Sequence, residues 1–221
     1  MTDQPFRTAH LSQIETVPLA GDGGLGWKPV REALGIEAFG INVWTAGEPG
    51  AEVIGPHVET DDQAGSHEEL YLVLAGRATF TVGDDEVDAP PGTMVAVLDP
   101  TARRMAVARE ADTAVLVVGG RVGAGFEVAA WEFIVRASAL YRRGDAAGAA
   151  AELRRGLPRH PDCWPLLYDL ACYESLSGDH EAALAHLAKA GTLSPRAREL
   201  ARAEPDFEPI RGARDFERAV G

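Results

Sequence analysis

The sequence predicts an α+β protein in which an antiparallel β jelly roll is followed by an α-helical repeat domain. The first observation is a change of pattern. Short β-branched and aromatic runs, broken by Gly, Pro and Asp, give way from Trp131 onward to an alanine-rich helical pattern. The second observation is that the negative charge is concentrated in the first part of the chain. Residues 1–128 hold 20 acidic and 8 basic side chains, whereas residues 129–221 hold 14 acidic and 13 basic ones. We therefore expect two domains, 1–125 and 126–221.

The first domain is predicted to be a barrel of short strands. Nothing helical separates the apolar runs, and their spacing is close to the roughly 8–12 residues typical of sandwiches and barrels. Residues 1–27 are less regular and are expected to form an arm that adds an edge strand, while Gly83-Asp84-Asp85 indicates a hairpin. The candidate strands are Glu37–Thr45, Glu52–His57, Glu69–Leu74, Ala78–Val82, Thr93–Leu98, Arg103–Ala108 and Thr113–Val118.

The second domain carries an internal repeat with an offset of 34 residues. In each unit a Gly would join two helices, a small Ala would let them approach, a Leu would fill the space between them and a Pro would end the second helix. The pairs are Gly144 with Gly178, Ala149 with Ala183, Leu153 with Leu187, and Pro161 with Pro195. This pattern resembles tetratricopeptide repeats. The remaining stretch, Arg196 to Val220, would cap the stack through Phe207, Ile210 and Phe216.

The resemblance to tetratricopeptide repeats implies a concave face that binds a protein or peptide partner. Candidate contacts on that face are Tyr141, Trp164 and Tyr168. Two and a half repeats make only a small groove.

Composition excludes several classes of protein. The apolar fraction of 46% and the charged fraction of 25% are those of a folded soluble chain. The longest apolar run is strand-sized, well short of the roughly 18 residues of a membrane span. Two cysteines make no disulfide framework and the first ten residues lack a signal region, so we expect a cytoplasmic protein. A net charge of −13 argues against binding to nucleic acid or anionic membranes.

A group of histidine and glutamate side chains follows the second predicted strand. The stretch resembles the first conserved motif of the cupins, in which His-x-His precedes a Glu and, after six more residues, a Gly. His57, Glu69 and Gly76 match this pattern. Glu59 stands in place of the second His, and the segment from Thr60 to Ser66 is inserted before the Glu.

The cupin resemblance implies a divalent metal inside the barrel, held in typical members by three His and one Glu. The corresponding set here is His57, Glu59, His67 and Glu69. His67 stands two residues before Glu69, so both would share one face of a strand. Two imidazoles with one or two carboxylates can bind Fe, Mn, Ni, Zn or Cu. A second interpretation stays open, in which Glu59 belongs to a solvated acidic loop and the site is empty or takes an organic ligand.

The second cupin motif, which supplies the last His ligand in the family, is only partly matched after Gly92. Its His is missing, and Arg103 and Arg104 stand near its place. Neighbouring residues of a strand face opposite sides, so one arginine could pair with Glu69 or bind a ligand carboxylate while the other faces solvent. Tyr71, on the same face as Glu69, is the third candidate for a ligand pocket.

Three functions are compatible with these features: a metal-dependent enzyme of dioxygenase or isomerase type, a ligand-binding or regulatory protein, and a structural dimer. The helical repeats favour the second, a small-molecule or metal-binding cupin protein with an interaction module. No catalytic residue can be named. We also expect a homodimer through the barrel half, because cupins commonly pair and an open β edge needs covering. Its interface should exclude Asp61-Asp62 and Asp84-Asp85, which are negatively charged.

Overall fold

The computed structural model describes residues 7–19, 23–60 and 64–221. The chain divides into two compact units, Met1–Val128 and Ala129–Gly221. The acidic pair Asp61-Asp62 lies outside the described residues, as does part of the inserted segment between Glu59 and Glu69. Within the described ranges, no helix is both long and apolar enough to cross a membrane.

The first unit is a sandwich of two antiparallel sheets, as predicted. Its strands are β1 (Val17–Pro18), β2 (Gly26–Lys28), β3 (Gly40–Ala46), β4 (Ile54–His57), β5 (Glu68–Ala75), β6 (Ala78–Val82), β7 (Asp85–Ala89), β8 (Met94–Val97), β9 (Arg104–Ala108) and β10 (Thr113–Gly120). Six strands pair in the order β1-β2-β3-β10-β5-β8, and four in the order β4-β9-β6-β7. This arrangement agrees with the predicted antiparallel jelly roll, although the described strands form two separate sheets and not one closed barrel.

The predicted strands all appear, with ends shifted by at most three residues. The hairpin signal is also confirmed, because β6 pairs with β7 and Gly83 adopts a φ of 60° in the turn. The N-terminal arm contributes two short strands, with Trp27 of β2 fully buried opposite Trp44 of β3. The short helix α1 (Val30–Leu34) was not predicted, because five residues ended by Gly35 are too few to show a helical period.

The alternation of side chains along β5 directs one set of residues into the sandwich. Tyr71 and Val73 are buried in the core between the sheets. Leu70 and Leu74, on the other face, are 38% and 41% exposed. Because Glu69 has the same parity as Tyr71, its carboxylate also faces the interior.

The glycine that ends the first motif is required sterically. Gly76 has a φ of 66°, in the left-handed region that favours glycine. A Cβ at this position would collide with Thr113 at the start of β10. The glycine therefore lets the chain turn out of β5 while β10 stays paired beside it.

The second unit is helical. Its elements are α2 (Ala130–Arg142), α3 (Ala146–Gly156), α4 (Trp164–Ser177), α5 (His180–Leu193), α6 (Pro195–Ala201), a 3₁₀ helix (Pro205–Ile210) and α7 (Arg214–Val220). The repeated glycines, Gly144 and Gly178, have φ values of 84° and 91° in the turns between α2 and α3 and between α4 and α5. Asp145 accepts a hydrogen bond from the N–H of Gly148 at 2.7 Å and thereby caps α3.

The repeated apolar positions pack as the 34-residue offset predicts. The fully buried members are Ala149, Ala183, Leu153 and Leu187, and the expected cap residues Phe207, Ile210 and Phe216 are buried too. The expected role of the prolines holds for one of the two. Pro195 directly follows Ser194, the extended C-cap of α5, and it also begins α6, because proline has no N–H to satisfy there. Pro161 lies well beyond the end of α3 at Gly156 and does not end that helix. The tetratricopeptide identity of this unit stays a prediction.

Candidate metal centre

Three ligand atoms meet between the two sheets of the first unit. His57 is the last residue of β4, Glu59 follows it by two positions, and Glu69 lies at the start of β5 in the other sheet. One ring nitrogen of His57 and one carboxylate oxygen each of Glu59 and Glu69 lie within 4.8 Å of one another. Nε2 of His57 is 3.6 Å from Oε1 of Glu59 and 3.5 Å from Oε2 of Glu69.

This spacing suits a single metal ion. Ligand atoms at roughly 2.0–2.2 Å from one ion are separated by at most about 4.4 Å, which small side-chain movements achieve here. Nδ1 of His57 is 2.8 Å from the carbonyl oxygen of Gly55, which can only accept a hydrogen bond. Neutral His57 therefore carries its proton on Nδ1 and turns the lone pair of Nε2 toward the two carboxylates. The cluster is consistent with a cupin metal site of one imidazole and two carboxylates.

Backbone hydrogen bonds hold Glu59 in place. Its Oε2 accepts from the N–H of Gly65 at 3.2 Å and from that of His67 at 3.3 Å. Its own N–H donates to the carbonyl of Pro100 at 2.8 Å. The side chain is 7% exposed, so Glu59 does not belong to a solvated acidic loop, which was the alternative interpretation of the sequence.

Tyr71 holds the second carboxylate. Its hydroxyl donates a hydrogen bond to Oε2 of Glu69, and its ring is packed against Phe80 with 5.4 Å between centroids. Burial and the adjacent Glu69 charge raise the pKa of Tyr71, so this hydroxyl remains a donor throughout the neutral pH range.

His67 lies next to the three-ligand group but not in it. Its Nδ1 is 3.8 Å from Oε2 of Glu59, and its ring packs beside Phe126 with 5.4 Å between centroids. The His67 side chain lies over Gly119, the residue of β10 that pairs with Glu69, so it is on the side of the sheet that Glu69 faces. Its ring nitrogens are nevertheless not among the three ligand atoms that lie within 4.8 Å of one another.

The electrostatics favour a charged imidazole between the carboxylates when no metal is bound. Burial alone would lower the pKa of His57, but the Glu69 carboxylate, the Gly55 carbonyl and the Glu59 charge outweigh it and raise that pKa. Burial and the neighbouring Glu69 raise the pKa of Glu59. Burial opposes ionisation of Glu69, yet His57, Tyr71 and Arg104 lower its pKa overall. A cation between the two carboxylates is therefore stabilised, and that cation can be a proton on His57 or a metal ion.

The two arginines differ in burial. Arg104, the first residue of β9, is 1% exposed and lies opposite His57 in the ladder, whereas Arg103, just before the strand, is exposed. Nη2 of Arg104 donates to the carbonyl of Asp99 at 3.0 Å. Sequence reasoning could not choose between them, because the ladder register that places Arg104 opposite His57 is a tertiary feature.

Of the three side chains predicted to bind a partner, Tyr141 and Tyr168 make contacts within the helical unit itself. The hydroxyl of Tyr141 donates to Asp206 at 2.9 Å, and its ring stacks on Tyr173 with 5.0 Å between centroids. Tyr168 is 7% exposed and packs edge-on against Phe207. Trp164 is half-buried at the start of α4. Tyr168 therefore stabilises the packing of the unit and presents little surface to a partner.

Comparisons with known proteins find similarity at the level of structure. No family model matches the chain, and no curated protein matches it. The chain is similar to a sugar phosphate isomerase of the cupin superfamily from Silicibacter pomeroyi, with 24% identity over 52% of this chain and 76% of that one, and a TM-score of 0.42. It is also similar to a cupin protein from Bacteroides fragilis, with 16% identity over 57% of this chain and 92% of that one, and a TM-score of 0.38. A predicted oxalate decarboxylase from Thermotoga maritima gives 18% identity over 51% and 97%, with a TM-score of 0.41. These likenesses concern the fold of the N-terminal half.

Proposed function

We propose that the first unit binds one divalent transition metal through His57, Glu59 and Glu69 and presents it to a small-molecule ligand. The observation that carries the proposal is the convergence of one lone-pair nitrogen and two buried carboxylates within 4.8 Å. One nitrogen and two oxygens suit Mn²⁺, Fe²⁺ or Zn²⁺ better than the thiolate-preferring ions.

Three protein ligands leave coordination positions open, which is the arrangement of sites that bind exchangeable molecules rather than purely structural metals. A bound metal would supply a Lewis acid that holds and polarises the ligand. The surrounding protein groups orient the three ligand side chains. Backbone N–H groups orient Glu59, the Tyr71 hydroxyl orients Glu69, and the Gly55 carbonyl fixes the tautomer of His57. His57 is the most open of the three, with its side chain 30% exposed, so a ligand would enter beside it.

The first test is metal binding by the full chain purified without a metal-binding tag. We expect elemental analysis to find one transition metal per chain, and the chelator-stripped protein to bind one equivalent of Mn²⁺ or Zn²⁺ in calorimetry. A ligand that binds only the folded state raises the free energy of unfolding by about 2.7 kcal/mol at 100 times its Kd. Stripped protein that binds neither ion, and whose unfolding temperature neither ion changes, would contradict the proposal.

Metal affinity should depend on pH through His57. Because the pKa of His57 lies above its usual value, the ion must displace a proton from the imidazole near neutral pH. Affinity is therefore expected to rise by roughly tenfold per pH unit until the pH exceeds that pKa, and then to level off. Calorimetry between about pH 6 and pH 8, in buffers of different ionisation enthalpy, measures both the affinity and the released proton. An affinity that does not change over this range would exclude His57 as a ligand.

The predicted homodimer gains support from the outer face of the six-stranded sheet. Four large apolar side chains are exposed at its β5–β8 end: Leu70, Leu74, Met94 and Leu98. Among the described strands, β8 is also the last of that sheet, with no further strand on its outer edge. We expect light scattering to give a dimer mass, and Met94→Glu to shift it to a monomer. Val122→Glu, which changes an exposed residue after β10, is the matched control and should leave the dimer intact. A monomer mass for the unmodified chain would refute this prediction.

A further inference from the structure

Arg104 is a buried, inward-facing side chain beside the three-ligand group. It lies opposite His57 in the β4–β9 ladder, and its parity on β9 is that of Ala106 and Ala108, which are buried in the core between the sheets. The guanidinium therefore faces the same interior as the carboxylate of Glu69. Its charge also contributes to lowering the pKa of Glu69, in agreement with this placement.

The hydrogen-bonding capacity of Arg104 is largely unused. Nη2 donates to the Asp99 carbonyl, but Nε and Nη1 are buried and have no hydrogen-bond partner among the described residues. No carboxylate in the described ranges lies within ion-pair distance of it. A guanidinium shielded from water with unmet donors is an unfavourable arrangement, which an oxyanion bound beside it would relieve.

The net charge of the site indicates when such an anion would bind. Glu59, Glu69 and Arg104 together carry one net negative charge while His57 is neutral, and this attracts a cation. A divalent metal reverses the balance to one net positive charge. The metal-loaded site would then favour an anion, and the unmet donors of Arg104 belong to a side chain that faces the same interior as Glu69.

We infer that Arg104 binds the anionic group, a carboxylate or a phosphate, of the small molecule that the metal site takes. This inference rests on the proposed metal site and specifies the class of its ligand. In the partial match to the second cupin motif, Arg104 stands near the place of the family's last His ligand. This chain thus has a positively charged side chain near the place where the family has a further metal ligand.

The experiment titrates inorganic phosphate and succinate, in separate calorimetric runs, into the Mn²⁺-loaded and the metal-free full chain. Variants are Arg104→Gln, Arg104→Lys and the matched control Arg103→Gln, which changes the exposed residue immediately before β9. We expect Arg104→Gln to weaken the better-bound anion about 10- to 100-fold, because charge-assisted hydrogen bonds are lost. Arg103→Gln should bind like the unmodified chain, and Arg104→Lys should fall between the two. Mn²⁺ affinity should not fall in Arg104→Gln, since a positive charge near the ion is removed.

The outcomes separate this inference from the proposed metal site. If the unmodified chain binds Mn²⁺ but neither anion, or if Arg104→Gln binds the anions equally well, the inference is wrong and the metal site stands. If no Mn²⁺ binds, the proposed function fails, and the titrations of the metal-free chain then test the role of Arg104. Anion binding that is lost in Arg104→Gln supports the inference. If the metal-free chain binds neither anion, the inference is wrong. Should Arg104→Gln fail to fold, the contrast of Arg104→Lys with Arg103→Gln decides in the same way. Preference for phosphate over succinate, or the reverse, identifies the anionic group.

Discussion

Replacement of His57 by alanine is expected to weaken Mn²⁺ binding by more than about 100-fold. His57 supplies the only nitrogen of the three-ligand group, and its Nε2 lies 3.5 and 3.6 Å from the two carboxylate oxygens. Loss of a residue that merely orients a ligand typically costs about 10- to 100-fold in metal affinity, so loss of a direct ligand should exceed that range. Calorimetry near pH 8 measures the effect, because protons then compete little with the ion at His57.

Two histidines provide the controls for this variant. His67→Ala removes a ring next to the site but keeps the backbone N–H that donates to Glu59, so its Mn²⁺ affinity should change only a few-fold. His180→Ala changes an exposed residue at the start of α5 and should have no effect. If His67→Ala loses as much affinity as His57→Ala, then His67 is a direct ligand, as the cupin resemblance implied, and the three-ligand geometry is incomplete.

The sequence was most informative where a local rule decides the outcome. The spacing between Glu69 and Gly76 identified the strand and its inward face, because strand alternation and the positive φ of Gly76 are local properties. The 34-residue offset located both helix pairs for the same reason, since Gly144 and Gly178 end helices by their own backbone conformation.

The sequence was least informative where tertiary contacts decide. The position of the His67 ring depends on its packing against Phe126 and over Gly119, both of which lie far along the chain. Alternation required one inward arginine, but only the pairing of β4 with β9 assigns that role to Arg104. The buried carboxylate of Glu174 gave no sequence signal, because its partners come from two other helices.

Replacing Arg154 by methionine is expected to lower the free energy of unfolding of the helical unit by about 3 kcal/mol. Glu174 of α4 is fully buried, and Arg154 of α3 donates to its Oε1 from Nε at 3.0 Å and from Nη2 at 2.7 Å. Methionine retains an unbranched apolar side chain but leaves the buried carboxylate with only His186, whose Nδ1 lies 2.7 Å from Oε2. The expected cost is at the lower end of the usual 3–5 kcal/mol, because Arg154 itself is 43% exposed and partly hydrated.

Two comparisons show whether an unpaired buried charge causes this loss. Arg196→Met breaks an ion pair with Glu199 in which both side chains are more than half exposed, so it should cost no more than about 1 kcal/mol. The double variant Arg154→Met, Glu174→Leu should recover most of the lost stability, because apolar residues can replace a buried ion pair at little net cost. Denaturant unfolding followed by far-ultraviolet circular dichroism reports on this unit, since the described long helices all belong to it. A double variant as unstable as Arg154→Met would mean that lost packing, and not the buried carboxylate, determines the effect.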